Sequence, residues 1–229
     1  MSLRSLDDIN KVFLDSIPLS ENLEGINVRL PYDSGGLRHE VLKLLPEASK
    51  IAKPRGAYLL FTPSVIDDSR VAIGGVIFTS ELLVKNIGRL DKVFMFLATE
   101  GIELSNWADS LPPEKNRAAF AIRFLALKNV EERLEAIIND NFDISYLSAM
   151  APGALREWPI SEQIPFFKLM GSQATRLSMV LDPQSFWLSP ALSSTGVFFD
   201  SPEGFSSCRL CIAECPWRHY PYGSQIEGI

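Results

Sequence analysis

A chain of 229 residues, 46% of them hydrophobic, carries enough apolar material for one compact domain or two closely packed lobes. Its 22 basic residues against 28 acidic ones give a formal net charge of -6, with no basic run to neutralise a phosphate backbone, which argues against nucleic acid as a partner. No run of about 18 apolar residues predicts a membrane-spanning helix, and the opening MSLRSLDDINKVFLDSI carries Asp7 and Asp8 where a signal peptide is apolar, so a cytoplasmic protein is expected.

Residues 7–17 are amphipathic and predict an entry helix. Residues 37–52 also read as helical but interrupted, because Pro46 suits the first turn of a second helix better than the middle of one; residues 31–36 are a loop. Two strands are expected at 56–62 (GAYLLFT) and 71–78 (VAIGGVIF), and the turn chemistry of residues 63–70 suggests that they form a hairpin. Thr79 or Ser80 can cap the next helix, with Glu81 in its first turn and Gly88 at its end. Residues 92–98 (KVFMFLA) have the continuous apolar character of a buried strand.

Thr99-Glu100-Gly101 turns the chain into a helix over 102–110, and Pro112-Pro113 separates it from a long helix over 114–139. Phe120, Phe124, Leu127, Val130, Leu134 and Ile138 give that helix an apolar stripe suited to a core. The composition changes at 146–157, which is dense in Gly, Pro and small residues. A short helix over 159–170 and strands near 185–188 and 196–199 follow. The sum is an α+β fold with a twisted, largely antiparallel sheet and packed helices. Residues 1–50 are expected to form a helical segment packed on a core at 51–205, with a cysteine segment at 206–229.

All three cysteines fall in Cys208-Arg-Leu-Cys211-Ile-Ala-Glu-Cys215-Pro216. An odd, crowded set is poor material for a disulfide framework, whereas thiolates at these spacings can converge on one metal centre. Three thiolates leave one iron of an iron–sulfur cluster to another ligand; with His219 they make the Cys3His set of a structural zinc site. Reduced thiols without metal are the third reading, and spacing leaves all three open. The two histidines, His39 and His219, support no Ser-His-Asp arrangement, and Gly35-Gly36 and Gly74-Gly75 are isolated pairs, not a phosphate loop. Trp158, Trp187 and Trp217 can stack on a planar ligand, although buried packing is the commoner fate of tryptophan.

From Ala151 to Phe205 the chain reads APGALREWPISEQIPFFKLMGSQATRLSMVLDPQSFWLSPALSSTGVFFDSPEGF. Its Ala151-Pro152-Gly153 loop, the helix ending near Met170-Gly171, and the hydroxyl-rich turn of residues 190–196 come in the order found in the reactivation domain of cobalamin-dependent methionine synthase. Upstream, VAIGGVIFTSELLVKNIGRLDKVFMFLATEGIELSNWADS, with Thr99-Glu100-Gly101 after a strand, is similar to small stand-alone relatives of that domain from anaerobic microbes, which also end in a cysteine cluster. The resemblance runs from about residue 51 onward.

It implies a methionine synthase activation-domain-like fold and a corrinoid-associated protein that assists reductive reactivation of a corrinoid methyltransferase, without being a complete methionine synthase. Cobalamin or another corrinoid would be held on the partner, a corrinoid protein or corrinoid methyltransferase. Pro152, Gly153, Ser193, Thr195 and Gly196 would shape the cofactor-binding site, and Cys208, Cys211 and Cys215, with His219, a metal site. The family also binds S-adenosylmethionine, through an Arg four positions before the loop glycine and a Tyr after it. Those positions are Ala149 and Ala154 here, which removes the bidentate partner of the ligand's carboxylate. Two other readings stand beside the first: an S-adenosylmethionine-binding module with no redox role, and a zinc-stapled interaction protein.

Overall fold

The computed structural model of the chain describes residues 10–19, 36–144, 146–201 and 205. In chain order, strand β1 (Lys11–Leu14) precedes helix α1 (Gly36–Ile51) and strand β2 (Arg55–Phe61). Three short strands, β3 (Ser64–Asp67), β4 (Arg70–Ile73) and β5 (Val76–Thr79), form a sheet of their own and lead into α2 (Glu81–Ile87). Strand β6 (Val93–Thr99) is followed by α3 (Ile102–Asp109), a 3-10 turn (Pro113–Lys115), the long α4 (Asn116–Phe142) and β7 (Leu147–Met150). A second 3-10 turn (Ile160–Glu162) opens α5 (Gln163–Arg176), and the small hairpin of β8 (Val180–Leu181) and β9 (Leu188–Ser189) precedes β10 (Ser193–Asp200).

The main sheet has the order β1-β2-β6-β10-β7, and every neighbouring pair is antiparallel. The α+β architecture expected from the sequence is therefore present. All seven residues of β6 are buried, as a strand covered on both faces requires. Val93, Met95 and Leu97 pack with Phe166 and Met170 of α5, Leu83 and Ile87 of α2, and the small sheet. Phe94, Phe96 and Ala98 face the other way, onto Val130, Leu134 and Ile138 of α4. A third cluster, with Val41, Leu45, Leu104, Trp107, Ile122 and Ala126, joins α1, α3 and the first half of α4. No described helix is long and apolar enough to cross a membrane.

Four local expectations are corrected. Within the expected entry helix, Lys11–Leu14 is an edge strand: pairing with β2 lets Phe13 join one core cluster while Val12 and Leu14 join the other, a gain that outweighs helical amphipathicity. Pro46 lies inside a single helix, exposed, while Val41, Leu44, Leu45 and Ala48 are buried on either side of it, and their packing offsets the one backbone bond that proline forfeits. Residues 56–62 and 71–78 do not pair. Gly74-Gly75, with φ of 56° and 80°, is itself the two-residue turn of the β4–β5 hairpin, because both positions need the left-handed backbone that glycine adopts freely. Finally, Phe120 and Phe124 are not core residues of α4. Phe120 is exposed, and the two rings stack 6.5 Å apart on the outer side while Ala118, Ala119 and Ile122 take the buried positions.

Candidate functional site

Strand β10 begins with three hydroxyl residues and turns apolar over residues 197–199, and a cleft of about 490 Å3 opens at its hydroxyl end. Ala151 and Pro152 after β7, Ile160 and Gln163 at the start of α5, residues 185–188 of the β8–β9 hairpin, Ala191, and residues 193–195 line it. The antiparallel register explains the convergence. Val197 of β10 stands opposite Met150, the last residue of β7, so the loop leaving β7 arrives beside the strand's first residues.

Three consecutive hydroxyls there have three different partners. Thr195 and Gln163 are both buried and exchange hydrogen bonds: Gln163 Nε2 lies 2.8 Å and Oε1 3.0 Å from Thr195 Oγ1, so the hydroxyl can accept from one or donate to the other. Ser193 Oγ is 2.9 Å from Thr99 Oγ1 and 2.7 Å from the Pro190 carbonyl, either of which can take its proton. Ser194 points to the other face of the sheet and donates to Glu131 Oε1 at 2.6 Å.

Behind residues 190–193 lies Glu100, which is fully buried. Burial pushes its carboxyl above the usual range, while the Arg123 guanidinium, bonded to both carboxylate oxygens, pulls it down; burial is the larger effect. The Leu192 N–H donates to Glu100 Oε1 at 3.2 Å, and the Glu100 N–H to the Leu192 carbonyl at 3.1 Å. Glu100 therefore holds the loop that forms one wall of the cleft. Glu162, next to the lining residue Gln163, accepts the Thr79 N–H at 2.8 Å and ties the start of α5 to the small sheet; burial raises its pKa.

The β8–β9 turn is stiffened from within. Asp182 accepts the Gln184 N–H at 2.9 Å and the Ser185 hydroxyl at 2.6 Å, and the latter bond heads the causes that lower its pKa. Phe186 is held at φ 60°, a left-handed conformation costly for a bulky residue, and Trp187 beside it is 72% exposed. With Ile160, also exposed, Trp187 gives the cleft an apolar rim.

Of the residues expected to shape a site, Pro152, Ser193 and Thr195 line this one cleft. Gly153 lies one position behind the wall, with φ 85°, its N–H on the Trp158 carbonyl at 2.8 Å, and only 2.5 Å between the place of a Cβ and Ile160 Cδ1. Gly196 packs against β7, where a Cβ would stand 2.4 Å from the Met150 carbonyl. Ala149 packs on the α4 face of the sheet, and Arg156 is exposed and not part of the lining. Cys208, Cys211, Cys215 and His219 lie outside the described residues, among which no cluster of metal-ligating side chains occurs. Gln163 and Glu100 were not singled out for a site by sequence. A glutamine at a helix start and a glutamate after a strand look like capping residues until the partner strand is known.

No family profile matches the chain, and no curated protein matches it. Among solved structures, the crystal structure of the MetH reactivation domain bound to AdoHcy is similar over 85% of this chain and 79% of its own, with a TM-score of 0.64 and 16% identity. That likeness shows the fold.

Proposed function

We propose that this chain is a corrinoid-associated protein of the reactivation-domain type, whose cleft at residues 193–195 receives the edge of a corrinoid carried by a partner protein. The observation that carries this reading is the cleft's lining: hydroxyls and an amide, an apolar and aromatic rim, and no charged side chain. Its volume lies within the range of about 300 to 1,000 Å3 typical of small-molecule sites. A neutral lining suits a large, flat ligand fringed by carboxamides, each of which finds a donor or acceptor in Ser193, Thr195 or Gln163, while Trp187 covers a face of the ring.

When bound, the corrinoid would supply a cobalt centre that takes up one electron from a low-potential reductant. Cys208, Cys211 and Cys215, with His219, are this chain's candidate holders of a centre for that electron. Iron with sulfide in anaerobically purified protein supports that role; stoichiometric zinc supports a structural staple instead. Titrating the protein with hydroxocobalamin and with a cobalamin-loaded partner domain tests the cleft. Saturable quenching of the exposed Trp187 emission is expected, and its absence with both overturns the reading.

The AdoHcy bound to the structurally similar domain favours a second reading, a nucleoside thioether in the same cleft. The uncharged lining then predicts that adenosine binds about as tightly as AdoHcy, because nothing there pairs the amino acid end. Calorimetry with both ligands decides this.

A further inference from the structure

We infer that the elbow between α3 and α4 is a separate binding site for a free α-amino acid with an apolar side chain. A cleft of about 470 Å3 lies there, and Asp109, Leu111, Asn116, Ala119, Phe120 and Arg123 are among its walls.

The charges in it are arranged unlike those of an ordinary surface ion pair. Arg123 commits its Nε and Nη2 to Glu100, and Nη2 also approaches Ser105 Oγ at 3.3 Å, while Nη1 bonds no described residue. The buried carboxylate thus fixes the guanidinium plane and leaves one pair of N–H donors over. Asp109 is near enough to raise the pKa of both Arg123 and Glu100, yet it closes no ion pair with Arg123. An acid and a guanidinium therefore share one cleft and are held apart across it.

Asp109 is exposed, and its attraction to Arg123 is set against an unfavourable place on its own helix. It occupies the last turn of α3, whose carbonyl end repels a carboxylate, and no basic residue is present in that turn. A local conflict of this kind is characteristic of a functional position. Across the elbow the 3-10 turn of Pro113–Lys115 runs directly into α4, and with the Asn116 N–H bonded to the Pro113 carbonyl, Asn116 has its side-chain amide to offer the cleft. The elbow thus has a negative side, made by Asp109 and the end of α3, and a donor side, made by Arg123 Nη1 and the Asn116 side chain.

A zwitterion matches both sides at once. Its ammonium would meet Asp109, its carboxylate Arg123 Nη1 and the Asn116 amide, and its side chain Leu111, Ala119 and the exposed ring of Phe120. A simple anion leaves Asp109 unanswered, and a simple amine leaves the guanidinium unanswered.

The test is calorimetry on the full chain with three probes of similar shape: L-leucine, 4-methylpentanoate without the ammonium, and isoamylamine without the carboxylate. L-Leucine should bind, and each half-ligand should be at least about tenfold weaker, the loss of one charge-assisted pair. Asp109→Asn should weaken L-leucine about tenfold and leave the melting temperature nearly unchanged, since relief of the helix end offsets the lost attraction to Arg123. Phe120→Ser, at an exposed position, should lower affinity for L-leucine more than for glycine. No binding of L-leucine, equal binding of a half-ligand, or an Asp109→Asn variant with unchanged affinity overturns the inference. None of these outcomes bears on the cleft at residues 193–195.

Discussion

Strand β10 is two strands in one. Before Gly196, Ser193, Ser194 and Thr195 each direct a hydroxyl to a different element, namely Thr99, Glu131 and Gln163. After it, Val197, Phe198 and Phe199 are 0%, 2% and 1% exposed and carry the core. Both halves pair with β6 in an unbroken register, so the backbone does not distinguish them. What differs is the cover: the second half lies under α4 on one face and the α5 cluster on the other, while the first half reaches the cleft. A site can be cut into a rigid sheet by changing side chains at one end of a central strand, and its hydroxyls then inherit the strand's precision.

The largest expected effect lies in the apolar half. Phe198→Ala removes a ring that stacks on Phe96 with centroids 4.0 Å apart and 19° between planes, and it should cost about 3 to 5 kcal/mol in chemical denaturation. If the loss is below about 1 kcal/mol, the two halves are not the different things described here.

In the polar half, Thr195→Val keeps the shape and removes the hydroxyl. Gln163 is then left buried without its partner, at a cost of about 1 to 3 kcal/mol. Ligand affinity should fall as well, because the amide is no longer oriented toward the cleft. Restoring the hydroxyl with Thr195→Ser should recover most of the affinity, though not all the stability. A variant that loses stability but keeps affinity would show the pair to be structural only.

How far this division was legible in the sequence depended on periodicity and distance. The buried β6 announced itself through an unbroken apolar run, and a cap at Thr79 or Ser80 through the place of both before Glu81; it is the Ser80 hydroxyl that accepts the Leu83 N–H, at 3.0 Å. The Ala151-Pro152 loop and the serine turn could be named separately, but only the sheet order puts them together, since β7 and β10 are adjacent there and over forty positions apart in the chain. Phe120 and Phe124 misled because an aromatic at helical spacing looks like core, whereas small alanines take the crowded positions against α1 and α3. The pairing of Glu100 with Arg123 spans 23 residues and two helices, and no local pattern encodes it.

A smaller effect tests the other side of the polar half. Ser194 faces α4, where Glu131, Glu132 and Glu135 crowd; burial, then Glu131, raises the Glu135 pKa. Because its folded pKa lies above the unfolded one, the folded chain binds this proton more readily. The contribution is fully present below the unfolded pKa and is lost as pH rises through the folded value. Stability measured from neutral pH down to just above the ordinary carboxylate range should therefore rise. Glu135→Gln should flatten that rise and be more stable at neutral pH by about 0.5 kcal/mol, the scale of like charges one helical turn apart. Glu100 and Glu162 act in the same direction in both proteins, so the difference between the two curves isolates Glu135. A variant with an unchanged slope would assign the pH dependence to those two.

The smallest effect on stability, and the most informative about the cleft, is expected at Trp187. Its side chain is 72% exposed, whereas Trp158 is fully buried and packs edge-on against Phe78 with centroids 6.5 Å apart. The bonds that hold Trp187 in place come from its backbone: its carbonyl accepts the Asp182 N–H at 3.0 Å, and its N–H reaches Ser185 Oγ at 3.3 Å. Trp187→Ser preserves both, so the melting curve should shift by no more than about 0.5 kcal/mol, while Trp158→Ala should cost about 3 to 5 kcal/mol. Because the exposed indole contributes little to folding, a loss of affinity on its removal reports on binding alone. Trp187→Ser should accordingly lose the iodide-accessible part of the emission and weaken hydroxocobalamin binding at least about tenfold, as expected when a stacking surface is removed. A stable variant that binds as before would leave the hydroxyls of residues 193–195 as the whole of the site.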